Sequence, residues 1–284
     1  MEILTIVLSA LLSLGSSGGL ILDQIVQGQL RSQVLNVEQQ AVRIDNRPNY
    51  RAAQGKLERV RIASRGITIR PGLRIAVADL ETDRVALKLA KSDFDSLDGL
   101  RESLESPASG LVRLIITETD LNQALQSPEI LTQLQSTLNR LLARRSGSTN
   151  ISYQLSDLNL ELRTGNRLQI GFKLYRPPSQ APRESNRIVG TSEEINRSRE
   201  LDIALELAFQ VVDGTRVRLL EPTGTVNNRP LSSRLLKGFA EGISDRLDLN
   251  SLSADGIITR ILQLEIDEDK LELVSFIRLE TKRP

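Results

Sequence analysis

Hydrophobic residues fall at alternate positions over much of the chain, and the clearest such stretch runs from Lys56 to Lys91. Apolar side chains stand there at Val60 and Ile62, at Ile67 and Ile69, at Leu73, Ile75 and Val77, and at Val85, Leu87 and Leu89. A period of two is that of an extended strand, whose side chains point to opposite faces in turn. The intervening Arg59, Arg61, Arg70, Arg74 and Lys88 are therefore expected on the other face. The pattern predicts strands that are apolar on one side and basic on the other, with the apolar side covered by a helix, a second sheet or an apolar ligand.

The same period returns further on. Leu111–Ile116 is a strand; Ile151, Tyr153 and Leu155 share one parity and Leu158, Leu160 and Leu162 the other, which predicts a bulge near Ser156-Asp157. Thr164-Gly165-Asn166 turns this strand back into Leu168, Ile170, Phe172 and Leu174. The longest strict alternation is Leu201, Ile203, Leu205, Leu207, Phe209 and Val211, about 35 Å of strand, and Asp213-Gly214-Thr215 turns it into Val217 and Leu219. Leu262–Ile266 and Leu271–Leu279, joined by Asp267-Glu268-Asp269, make a final hairpin. Val42 and Ile44 suggest a weaker strand before the turn at residues 45–50.

Helical spacing is confined to a few places. TETDLNQAL offers Thr117 or Thr119 as a capping hydroxyl, and Ser127-Pro128 opens a second helix with proline in its first turn. Ile130, Leu131, Leu134, Leu138, Leu141 and Leu142 form the stripe of that helix, which ends in Arg144-Arg145-Ser146-Gly147. Another, capped by Ser232 or Ser233, carries Leu235, Leu236, Phe239, Ile243 and Leu247. Residues 92–110 read as a loop or a short helix, and residues 177–199, polar and with proline early, as a mobile loop.

At the N-terminus Ile3–Leu14 is apolar apart from Thr5, Ser9 and Ser13, and is followed by Gly15-Ser16-Ser17-Gly18-Gly19 and Leu20–Leu22. Its length suits a signal-peptide core and falls short of a bilayer span, yet Glu2 stands where a positive residue is expected. Ile21, Ile25, Leu30 and Val34 also continue it at helical spacing. Residues 1–22 are thus a signal or anchor or a first buried helix, and residues 23–284 one domain. Membrane-associated or periplasmic residence is expected, with the cytoplasm still open.

Composition narrows the chemistry. The 37 basic and 36 acidic residues of the 284 nearly cancel, and aromatic residues make up only 3%, so nucleic acid is not an expected partner. The chain has no cysteine and no histidine, which removes disulfides, thiolate chemistry, Ser-His triads and the usual zinc and haem ligands. No enzyme, cofactor or metal is expected. Asp79, Glu81 and Asp83 alternate and so share a face, as a calcium site or carboxylate hydrolase would need, but a solvated strand end explains them as well and no EF-hand spacing surrounds them. Gly238 and Gly242 form a GxxxG expected to allow close helix-to-sheet approach, because Lys237, Glu241 and Asp245 do not suit lipid. Gly15–Gly19 lacks the Lys-Ser/Thr of a phosphate loop, and the glycosylation patterns at Asn150 and Asn196 carry no weight. Arg59, Arg61, Arg65, Arg70 and Arg74 fit either a solvated outer face or contact with anionic head groups.

Three segments, DNRPNYRAAQGKLERVRIASRGITIRPGLRIAVADLETDRVALKL, TETDLNQALQSPEI and VNNRPLSSRLLKGFAEGISDRLDLNSLSADGIITRILQLEI, resemble the LmeA-like phospholipid-binding proteins, most closely their cyanobacterial type. The resemblance spans roughly residues 20–279 and rests on strand and turn texture. It implies non-enzymatic lipid binding, a role in cell-envelope maintenance, and a fold similar to the tubular lipid-binding domains. The expected fold class is α+β, an elongated, curved antiparallel sheet wrapped around helices. The expected function is binding, and possible transfer, of phospholipid or another acyl lipid at a membrane surface. Leu73, Ile75, Val77, Val85, Leu87, Leu201, Ile203, Leu205, Leu207 and Phe209 are the candidate groove lining, and Arg70 and Arg74 the candidate head-group contacts. The alternatives are a scaffolding envelope protein with a filled interior and, third, a hydrolase using Asp79, Glu81 or Asp83.

Overall fold

The computed structural model describes residues 36–70, 72–88, 96–146, 153–176 and 200–282. The expected N-terminal helix or signal and the expected mobile loop at 177–199 lie outside these residues. The described strands are antiparallel throughout and form a six-stranded, a five-stranded and a small two-stranded sheet, so the chain is α+β with its long sheet surface split in two.

The first sheet contains β1 (Asn36–Asp45), β3 (Arg59–Arg70), β4 (Leu73–Thr82), β6 (Ala108–Thr117), β13 (Lys270–Leu279) and β12 (Ile257–Ile266), in that spatial order. Between them the two-residue strands β2 (Lys56–Leu57) and β5 (Val85–Ala86) form a small sheet of their own. Of the expected strand over Val85–Leu89, the described residues form a strand at Val85–Ala86 and an isolated bridge from Leu87 to Leu104, and Leu89 lies outside the described residues. Helix α1 (Leu97–Ser103), N-capped by Ser96, follows it. With Leu252, these pieces cover one end of the apolar face, where Ile62, Ile75, Leu80, Val112, Ile257 and Ile277 belong to a single core cluster.

Alternation in β3 and β4 does not hold along their whole length. Inward residues run Val60, Ile62, Ser64 and then Ile67, Ile69; on the neighbour they run Leu80, Ala78 and then Ile75. Ile62 pairs with Leu80 and Ile67 with Ile75, so both strands change inward parity at one level without a slip in register. Gly66 sits at this level with φ +62, a conformation open to glycine and strained for other residues. Consequently Ala78 rather than Val77 continues the buried set beyond Ile75.

The second sheet contains β11 (Arg229–Pro230), β10 (Arg216–Val226), β9 (Glu200–Val212), β8 (Arg167–Tyr175) and β7 (Gln154–Arg163), in that order. The expected bulge is present between Ser156 and Asn159, with Asp157 at φ 52. Helix α4 (Ser233–Ser244) packs on β10. Leu207 and Leu219 meet Ala240 there, with Phe209, Phe239, Ile243 and Leu247 around them. Gly238 and Gly242 do not serve a close approach: a Cβ at either would meet open space.

Candidate functional site

Helices α2 (Glu118–Leu125) and α3 (Pro128–Ser146) stand where the two sheets meet. Thr117 caps α2, its hydroxyl accepting from the Asp120 amide at 3.1 Å and donating to Asp120 Oδ2 at 2.7 Å. Asp120 is buried and also accepts from Arg74 Nη1 of β4 at 3.0 Å. Arg74 donates in addition through Nε and Nη2 to the Glu38 carboxylate of β1, at 3.0 and 3.1 Å. Gly66 makes this possible, because a Cβ there would collide with the Glu38 carboxylate. The pairing pulls the Glu38 carboxyl below the usual carboxylate range, through its hydrogen bonds from Arg74, and raises the Arg74 guanidinium. Arg74, expected on the outer basic face, instead ties β1, β4 and α2 together. The Arg70 side chain lies outside what the structure describes.

The other side of α2 and the middle of α3 suture the edge of the second sheet. Asn122 accepts from the Leu160 amide at 2.8 Å and donates to its carbonyl at 2.7 Å, while Glu118 accepts from the Leu162 amide at 2.7 Å. Gln135 accepts from the Leu155 amide at 2.6 Å and donates to the Tyr153 carbonyl, and Asn139 accepts from the Tyr153 amide at 3.2 Å. Unpaired backbone on an edge strand is open to another strand, and here helix side chains occupy it. At the opposite end the hairpin tips reach β12: Ile261 N donates to Gly214 O at 2.6 Å and Ile266 N to Asn166 Oδ1 at 2.8 Å. Leu160, Leu162 and Leu168 then pack with Ile266, Leu121, Leu125, Ile170, Leu271 and Phe209.

The candidate lining residues are distributed between the sheets. Ile75, Val85 and Leu87 belong to the core of the six-stranded sheet, and Leu73 and Val77 are half-buried on β4. On β9 Leu205 and Leu207 are buried, whereas Leu201, Ile203 and Phe209 are half-buried. Ile203 faces Phe172, and Leu201 faces the buried Leu174. These rows extend the apolar face of β8 and β9 beyond the Leu207 cluster, and among the described residues Phe172 and Ile203 belong to none of the packed clusters. Phe172 was not among the sequence candidates; only its pairing with Ile203 reveals it.

Asp79, Glu81 and Asp83 occur along β4 and its end and are engaged by neighbours. Asp79 pairs with Arg65 at 2.5 Å, Glu81 with Arg59 and Arg61 at 3.4 Å, and Asp83 accepts from Ser109 at 2.8 Å. Asp79 and Glu81 are rungs of cross-strand ion pairs, and Asp83 is held by a hydroxyl. Among the described residues no group of three carboxylates stands where it would hold a metal ion, and no helix is long and apolar enough to cross a membrane.

Antiparallel sheets with a long apolar face, sutured by helices, define a protein built around a hydrophobic surface, and the Asp79 and Glu81 carboxylates of β4 are tied in ion pairs. The chain belongs to the LmeA-like phospholipid-binding family, whose model matches residues 16–275. That membership implies a binding protein. No curated protein and no solved structure matches the chain.

Proposed function

We propose that this protein binds a phospholipid with its acyl chains against the apolar face of β8 and β9, and passes it between membrane surfaces in envelope maintenance. The observation that carries the reading is the row of Leu201, Ile203 and Phe172, apolar and half-buried beside the packed Leu205 and Leu207. Family membership supports phospholipid as the ligand class. Withdrawing a chain of about sixteen carbons from water is worth on the order of 12 kcal/mol, so an aliphatic surface alone supplies the driving force, without a catalytic group. In this reading the two sheets act together as the elongated, curved apolar enclosure of a tubular lipid-binding domain. The chain is of the family's cyanobacterial type and works at a membrane or in the periplasm. Leu73 and Val77 extend the lining, while Ile75, Val85 and Leu87 back it from within the core.

Native mass spectrometry of the protein mixed with extracted membrane lipids tests this. A stoichiometric phospholipid adduct is expected, reduced about tenfold or more by Phe172→Ala combined with Ile203→Ala, which removes apolar contact at one point of the face. A protein that retains no exchangeable lipid overturns the reading and favours a scaffold with a filled interior.

A further inference from the structure

The outer face of the six-stranded sheet carries an apolar patch that the lipid reading does not use. A bulge between Ile261 and Gln263 places Leu262 and Gln263 together opposite Val274. In the next row Arg260 faces Phe276, which faces Leu111 of β6, and Ile258 lies two residues along β12. Leu262 is 57% exposed, and Leu111 and Ile258 are each 46% exposed. Large apolar side chains left open to water and gathered on one sheet face mark a docking surface.

The charges around the patch are arranged asymmetrically. Arg113 is 43% exposed while its carboxylate partners Glu272 and Asp79 are 14% and 30% exposed, so the cation stands further outward than either. Arg278 is likewise more exposed than Glu280, at 48% against 36%. Arg260 has no carboxylate partner among the described residues. Beyond Leu111 the surface dips into an open depression of about 430 Å³, floored by Ala41, Ala63 and Val274 and rimmed by Arg43, Arg61 and Arg113 together with Asp79 and Glu81, which pair with Arg113 and Arg61. Aliphatic side chains projecting between outward arginines match the two layers of an anionic bilayer surface, acyl boundary below and phosphate above.

We propose that the β6–β13–β12 outer face docks on anionic membranes through Leu262, Ile258 and Leu111, with Arg260, Arg113 and Arg278 meeting lipid phosphates. Docking on this face is independent of where acyl chains are held. Co-sedimentation with vesicles of equal parts phosphatidylcholine and phosphatidylglycerol, against phosphatidylcholine alone, tests it. The wild type is expected to bind the anionic vesicles and to release as salt rises. Leu262→Gln with Ile258→Gln weakens binding about tenfold, Arg260→Gln weakens it about fivefold, and Leu220→Gln, an exposed leucine on β10, leaves it unchanged. Circular dichroism confirms that the variants keep the fold.

Equal vesicle binding by the wild type and by a variant combining Leu262→Gln, Ile258→Gln and Arg260→Gln overturns the proposal, as does no binding by the wild type. A concentration-dependent dimer abolished by the same substitutions, without vesicle binding, also overturns it and assigns the face to a second copy. Uptake of a short-chain phosphatidylcholine below its micelle concentration separates this proposal from lipid holding. Docking variants keep that uptake, whereas a wild type that binds vesicles but takes up no dissolved lipid retains the docking face and loses the lipid-binding reading.

Discussion

The six-stranded sheet closes its apolar face with side chains of its own neighbourhood, and the five-stranded sheet does so only in part. In the first, Ile62 and Ile75 are each 1% exposed within one extended cluster of buried residues. In the second, packing is concentrated in two patches, one under α2 and one under α4, joined through Phe209, while Ile203 and Phe172 stand half-buried outside both. The edges differ in the same sense. Strand β1 is an edge of one sheet with no strand beyond it among the described residues, but β7 of the other is held by Glu118, Asn122, Gln135 and Asn139. A sheet that leaves part of its hydrophobic face half-covered needs another source of rigidity, and directional bonds from helix side chains provide it.

The contrast is sharpest in paired truncations. Ile62→Ala is expected to destabilise by about 3–4 kcal/mol, because a fully packed site cannot collapse around the void. Ile203→Ala, at a half-covered position, is expected to cost only about 1 kcal/mol. Urea denaturation measures both, and equal losses would erase the distinction between the sheets. Next in size, Asn122→Ala leaves the Leu160 amide and carbonyl without partners, at a cost of about 2 kcal/mol. Hydrogen exchange should show Leu160 and Leu162 losing protection while Ile62 and Leu80 keep theirs. Smallest are the helix glycines: Gly238→Ala and Gly242→Ala each enter open space and are expected to stabilise by up to about 1 kcal/mol. Thermal melts that shift downward instead would show that α4 needs these glycines for movement or for a partner.

Acidity probes the joint between the sheets. The Glu38 carboxyl is held below its ordinary range by Arg74, so its contribution is fully present above the ordinary carboxylate pKa and is lost as pH falls through the lowered folded value. Glu38→Gln should therefore flatten the acid limb of the stability profile and leave the neutral and alkaline limbs parallel to those of the wild type.

Much of the local structure is legible because its causes are local. Thr117 caps α2, Pro128 opens α3, the change of parity across Ser156 and Asp157 produces a bulge, and Asn166 and Asp213 adopt positive φ in the hairpin turns. The candidate site is less legible. Leu205 and Ile203 read alike in an alternating row, yet one is buried and the other half-open, because coverage depends on segments distant in the chain. The polar residues of TETDLNQAL read only as a helix start with a capping hydroxyl, while Asp120 and Asn122 bind opposite sheets. The Gly238 and Gly242 spacing points to close packing that the tertiary arrangement does not use.

The sequence by itself determined the alternating strands, their turns and the helix starts, since each follows from neighbours within a few positions, and its composition leaves out histidine and cysteine. Only the tertiary structure decided that Lys270–Leu279 pairs with Ala108–Thr117 and so completes the first sheet with the last hairpin. It alone decided that Gly66 turns the inward parity and that Arg74 joins β1, β4 and α2. The physical reason is that alternation fixes which side chains share a face, whereas the partner of each face is chosen by packing and hydrogen bonding between segments far apart in the chain.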